Sequence, residues 1–327
     1  YQKGGAEMNQ TEKTLQKSVQ KDGDATITRL SDGSGSMVLT THQVFPGITL
    51  TQNDIHMQGR FAEVPASETL FEINHCREGR MECSSGGAFF YLTPGDLAVG
   101  CPSDLAYGSF FPLGHYHGLT ITIDTVQAPR CLSCFLDDVN IDPAVLMRRF
   151  RRGGRGWIAR SSPAVAHLFS ELYAVPPEIQ KGYFKVKILE LLLYLSAIRL
   201  DPSDETAKPV SGTQTALAKD VAAYLCSHME SHITLETLSS IFHLSGTQIK
   251  NSMKAVYGVS VYAYARTQKM HAAARMLRTG DEPIQEIAGR FGYDNASKFS
   301  EAFRGVMGVT PSEYRKRSKT DPGFCDG

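Results

Sequence analysis

The stretch Ile284-Gln285-Glu286-Ile287-Ala288-Gly289-Arg290-Phe291-Gly292-Tyr293, continued by Phe299, Phe303, Gly308, Thr310-Pro311 and Tyr314-Arg315, decides how this sequence is read. Ile284, Ile287 and Phe291 fall on one face of a helix. Gly292-Tyr293 makes a turn, and Phe299, Phe303 and Val306 fall on one face of a second helix. The same pattern stands earlier in the chain. Leu235, Leu238 and Phe242 precede a turn at Leu244-Ser245, and Ile249, Met253 and Val256 follow it. One copy closes with Gly258-Val259-Ser260 and Tyr264, the other with Gly308-Val309-Thr310 and Tyr314. The offset between copies is 49 before the turn and 50 after it, so the second turn is one residue longer. A period near 50 marks an internal repeat of one supersecondary unit.

Helix, tight turn, helix is the helix-turn-helix plan, whose second helix enters the major groove of DNA. Thr234 and Asp281 suit helix starts and Pro283 suits a first turn. Between the copies, Val261 to Leu277 reads as one helix, about 25 Å long. Such a spacer would set two recognition helices about 34 Å apart, one turn of DNA. The outward positions of the second helices are Thr247, Gln248, Lys250, Asn251 and Lys254 in the first copy. In the second they are Asn295, Ser297, Lys298, Glu301 and Arg304. Amide side chains pair with adenine edges, and Lys and Arg with guanine or phosphate. An ordinary solvated face has the same composition, and it is the recurrence in both copies that favours DNA.

Charge points the same way. The 327 residues carry 34 Lys and Arg against 34 Asp and Glu, but Thr213 to Thr320 holds 14 against 9. A basic final third on an otherwise acidic chain suits a polyanionic partner.

Upstream the reading is less specific. Residues 1–24 are polar and aperiodic and are expected to be a flexible tail. From Ala25 to about Asp124 short alternating runs separated by turns predict strands: Phe71, Ile73 and His75; Met81 and Cys83; Phe89-Phe90-Tyr91; Leu97-Ala98-Val99. Thr93-Pro94-Gly95-Asp96 reads as a tight turn. His115, His117, Leu119, Ile121 and Ile123 share a face. Many short strands without intervening helices predict a small barrel or sandwich. From Pro143 the period becomes helical, with a start at Ser161-Ser162-Pro163 and an apolar stripe over Tyr183 to Leu200. That stripe is wide enough to pair with a second subunit or to cover the strands. Residues 201–212 read as a linker. With 42% hydrophobic residues, no apolar run of membrane-spanning length and no secretory leader, a soluble cytoplasmic protein is expected. The seven scattered cysteines read as reduced thiols.

Residues 213 to 318 resemble the DNA-binding domain of the AraC/XylS family of bacterial transcription regulators, on the motif quoted at the outset. The β region resembles, more weakly, the cupin-like regulatory domains that precede this module. The resemblance implies an α+β chain. A cupin-like β-barrel at 25–142 and a helical dimerisation region at 143–200 would precede an all-α domain at 213–320, with two helix-turn-helix motifs joined by a linker helix. It implies promoter DNA, RNA polymerase, a second copy of the chain and a small effector as partners, and no membrane, no cofactor and no catalysis. In the second recognition helix the family's positions fall on Ala296, Ser297, Ser300 and Glu301. Lys269 departs from the family, which commonly has Arg there.

His75, His115 and His117 are candidates to line an effector site. A cupin metal centre at His115-Tyr116-His117 lacks its carboxylate, because Ile121 and Thr122 stand where it belongs, so no metal is expected. Cys131-Leu132-Ser133-Cys134 has no second cysteine pair to complete a zinc site. Arg148, Arg149, Arg151, Arg152 and Arg155 make a basic segment, read mainly as solvated. The alternative reading of the whole chain is a metal-dependent cupin enzyme with an appended DNA-binding domain.

Overall fold

The computed structural model describes residues 16–32, 35–58, 67–107, 110–132, 139–151, 156–200 and 208–320. The chain divides into two compact units, Tyr1–Pro209 and Val210–Gly327.

The N-terminal unit is built from strands β1 (Gln16–Asp22), β2 (Ala25–Asp32), β3 (Gly35–Phe45), β4 (Ile48–His56), β5 (Leu70–Gly79), β6 (Met81–Ser85), β7 (Ala88–Leu92), β8 (Leu97–Gly100), β9 (Ala106–Tyr107), β10 (Tyr116–Asp124) and β11 (Trp157–Ala159). Helices α1 (Pro143–Phe150), α2 (Pro163–Leu172) and α3 (Gln180–Ala197) complete it. Eight strands pair in the order β1-β2-β3-β4-β10-β5-β8-β11, and β7-β6-β9 form a second sheet. The expected closed barrel is not what this pairing makes: β1 and β11 end the large sheet as edges. Nor is the predicted tail free of structure throughout, because β1 pairs along its length with β2. All seven β1 residues are exposed, so no alternation announced the strand.

The large sheet buries both faces over its middle. Leu50, Ile73, Leu119 and Ile121 pack with Phe150, Phe169, Phe184 and Ile188 of the three helices. Met37, Ile55, Cys76 and Tyr116 pack with Met81, Cys83 and Leu92 of the small sheet. The turn at Thr93–Asp96 is fixed by its own acid: the buried Asp96 carboxylate accepts from the Thr93 amide and hydroxyl, both at 2.8 Å, and pairs with Arg160. Helix α2 starts as expected, with Pro163 in its first turn and Ser162 Oγ accepting from the Val165 amide. The basic segment is partly structural. Arg149 donates to the carbonyls of Leu195, Ser196 and Ile198 at the end of α3, and Arg151 pairs with Asp104 at 2.9 Å. Arg152, Arg155 and Cys134 lie outside the described residues. Burial pushes the thiols of Cys76, Cys83 and Cys101 up, which makes them unreactive.

The C-terminal unit is all helical: α4 (Gly212–Ser227), α5 (Leu235–Phe242), α6 (Gly246–Tyr257), α7 (Val261–Thr279), α8 (Ile284–Arg290), α9 (Ala296–Met307) and α10 (Pro311–Thr320). Helices α4, α5 and α6 form a first lobe and α8, α9 and α10 a second, and α7 packs on members of both. Its N-terminal half brings Tyr264 against Tyr257 of the first lobe, ring centroids 4.5 Å apart. Its C-terminal half puts Met270, Ala273, Ala274 and Leu277 into the core of the second. Among the described residues no helix is long and apolar enough to cross a membrane.

Candidate nucleic-acid interface

Each recognition helix is fixed by caps that its own sequence supplies. Helix α5 ends at His243 in the left-handed region (φ 53°), the one non-glycine residue with positive φ among those described. Three residues later α6 begins in a capping box. Ser245 Oγ accepts from the Gln248 amide, and Gln248 Oε1 accepts from Ser245 N at 3.0 Å and Oγ at 2.8 Å. In the second copy Gly292 (φ 79°) makes the turn, and Asn295 Oδ1 accepts from the amides of Ser297 at 2.8 Å and Lys298 at 3.4 Å. Both recognition helices then stop on a left-handed glycine, Gly258 (φ 76°) and Gly308 (φ 74°), where a Cβ would be strained. The next helix restarts at once, on Ser260 in one copy and Thr310 in the other. Glu313 accepts from the Thr310 amide and hydroxyl, and those hydrogen bonds hold its carboxyl below the usual range.

The apolar stripe of each helix faces inward as its spacing requires. Ile249, Met253 and Val256 are fully buried in α6, and Phe299 and Phe303 in α9, while Val306 packs against the second core from a half-buried position. The opposite faces are open. Thr247, Gln248, Lys250, Asn251 and Lys254 are all exposed, as are Asn295, Ser297, Lys298, Glu301 and Arg304. Two of these ten already have work. The oxygens of Gln248 and Asn295 hold helix starts, and both side chains remain exposed. The signal for the first was in the sequence, as Ser-x-x-Gln ahead of an apolar run.

Lys269 joins the two lobes. From α7 its ammonium donates to the carbonyl of Ser231, 3.2 Å away after α4, and to that of Phe291, 3.1 Å away at the second turn. Burial without an anionic partner lowers its pKa. Lysine in place of the expected arginine therefore binds lobe to lobe through backbone oxygens.

The histidines of the N-terminal unit do not come together as one site. His75 lies on the helix-covered face of β5, stacked on Phe169 with centroids 4.0 Å apart, and its Nδ1 meets the Tyr173 hydroxyl at 2.9 Å. Burial pushes its pKa down to about 4. His117 shares the face of Leu119, Ile121 and Ile123, as expected, but stands where that face opens to solvent, and its ring is a third exposed. The interior position expected for it is thus only half met. His115 precedes β10, and its pKa is lowered chiefly by burial.

Residues 238–317 match the family described as a helix-turn-helix domain. The chain is 30% identical over 101 residues to the MmsAB operon regulatory protein of Pseudomonas aeruginosa, covering 31% of this chain and 33% of that one. It is 25% identical over 151 residues to the arabinose operon regulatory protein of Salmonella typhimurium, covering 45% and 53%. Among solved structures it is similar to the C-terminal domain of AraT, a response regulator from Geobacillus stearothermophilus. That likeness has 31% identity and a TM-score of 0.30, and covers 31% of this chain and 84% of that one. The chain spans about a third to a half of the length of these two curated relatives. The C-terminal unit carries a helix-turn-helix domain.

Proposed function

We propose that this chain is a sequence-specific transcription regulator that reads double-stranded promoter DNA through α6 and α9. One observation carries the reading: two recognition helices, each started by a polar side-chain cap, stopped on a left-handed glycine and buried on a matching stripe, both turn polar and basic faces to solvent. Lys250, Asn251, Ser297 and Glu301 read base edges. Lys254, Lys298 and Arg304 hold phosphates, with Thr247, Gln248 and Asn295 beside them.

The N-terminal unit dimerises and senses a small molecule, and through these it governs how promoter-bound dimers engage RNA polymerase. Support for the dimer lies on α3. Ile179, at its start, and Val186 and Leu193 within it are exposed and recur every seven residues, with half-buried Leu189 beside them. That spacing makes a seam for a second helix. Support for an effector site lies on the face of the large sheet opposite His75. There Thr120 Oγ1 donates to Asn74 Oδ1 at 2.7 Å, and Asn53 Nδ2 donates to Thr120 Oγ1 at 2.9 Å. Asn74 and Glu72 are both buried on β5, and a hydrogen bond from the Asn74 side chain to the Glu72 carboxyl partly offsets the burial that raises its pKa.

Selection of binding sites from random DNA by the full chain tests the reading. A two-part motif, its parts about one helical turn apart, is the expected result. No enrichment at low salt would contradict it.

A further inference from the structure

Asp54, His56 and His117 bring three metal-ligating atoms to one point of the N-terminal unit. Asp54 and His56 stand two residues apart on β4, so the strand's period places them on one face. Asp54 is also the cross-strand partner of His117 on β10. Asp54 Oδ1 lies 2.9 Å from His56 Nε2 and 3.5 Å from His117 Nε2. All three donor atoms lie within 4.8 Å of one another, and the two imidazole rings stand nearly perpendicular.

These distances fit one small ion. Zinc bound to nitrogen and oxygen at about 2.0–2.1 Å in a tetrahedron sets its ligand atoms about 3.3 Å apart, between the two separations seen here. Two imidazoles and one carboxylate favour a late first-row divalent ion over magnesium or calcium. The ligands sit on two adjacent inner strands, each paired on both sides, so the cradle is held by the sheet. The carboxylate missing from the sequence near His117 comes from the neighbouring strand, some sixty residues away. His115 stands beside the trio, its ring centroid 6.5 Å from that of His117, without joining the convergence.

We propose that Asp54, His56 and His117 bind one zinc-class divalent ion and leave a coordination position open to water or a ligand. The proposal goes beyond DNA binding and stands or falls independently of it.

The test uses the full chain, stripped with chelator and titrated with Zn²⁺ by calorimetry, with bound zinc counted after gel filtration. One zinc per chain is expected, together with a rise in the melting temperature of the N-terminal unit. Asp54→Ala and His117→Ala should each weaken binding by more than the roughly 10–100-fold that loss of a supporting partner costs. His167→Ala, an exposed histidine on α2, should change nothing. His56→Gln repeats the test in a side chain of similar polarity, and the metal-free melting temperature reports whether each variant is folded. Absence of stoichiometric zinc, or stoichiometric zinc that survives all three substitutions in folded protein, would overturn the site and leave the trio as hydrogen-bonded neighbours.

Discussion

Nine polar side chains on α6 and α9, with Asn295 at the start of α9, are exposed in the C-terminal unit, whereas the N-terminal unit buries Glu72, Asn74, His75, Glu82, Ser85, Asp96 and Lys187. The buried polar residues described in the C-terminal unit are Thr215 and Ser252, both hydroxyls. A polar group in water costs nothing to keep and is available to a partner. A buried one must find its hydrogen bonds inside the fold. Asp96 and Lys187 do so through Arg160, Glu171 and Glu190. His75 Nε2 does not. One unit therefore keeps its chemistry on its surface, and the other keeps it in its interior, where small changes of environment shift stability.

The largest expected effect tests the C-terminal unit. Phe303 is fully buried, with its ring 5.9 Å from Phe299 and 5.6 Å from Tyr314. Phe303→Ala should destabilise the second lobe by about 3–5 kcal/mol in urea unfolding. It should remove protection from one part of the DNA site and spare the other. Loss of both parts together would mean that α7 and Lys269 make the lobes one cooperative body.

The interior half answers to pH. His75, held down to about 4, stays neutral when folded and is protonated when unfolded below about 6.5, so its contribution to stability is lost as pH falls. Glu72, pushed up to about 7 by burial, stays protonated when folded and ionises when unfolded, so its contribution is lost as pH rises above about 4.5. The two slopes oppose each other in the wild type. Glu72→Gln should leave stability rising with pH from about 4 to 6.5, and His75→Gln should leave it falling from about 4.5 to 7, each by about 3 kcal/mol across its window. Melting of the N-terminal unit measured against pH checks this. Parallel curves for the wild type and both variants would show that neither group is held as its burial implies.

Smaller effects return to the DNA face. Asn251→Ala should cost about 1–3 kcal/mol on a selected duplex and less on random DNA, by competition binding. Equal losses on both would make Asn251 a backbone contact. Ser245→Ala should cost about 1 kcal/mol of stability through the lost cap, and it should also free Gln248 from its place at the start of α6.

What the sequence made legible follows the same division. The repeat, both turns and all ten outward positions could be read, because helical period and glycine or serine punctuation are local signals. The buried face of β10 could be read too, but not its pairing with β4. Asp54-Ile55-His56 carried an alternating acid and imidazole, yet their meeting with His117 depends on strand register. Strand β1 had no apolar face to announce it. The helix-capping role of Arg149 and the bridge made by Lys269 depend on carbonyls brought close only by packing, 46 residues away for Leu195 and 22 for Phe291.

The claim that α6 and α9 read DNA is tested most directly by fluorescence anisotropy of the full chain on a selected duplex and on a scrambled one, across a salt series. The account predicts a steep loss of affinity with salt on both, since basic side chains displace counterions from phosphates. It also predicts a preference for the selected duplex of at least about 10³-fold, which Asn251→Ala reduces. Equal affinity for the two duplexes at every salt concentration would contradict it.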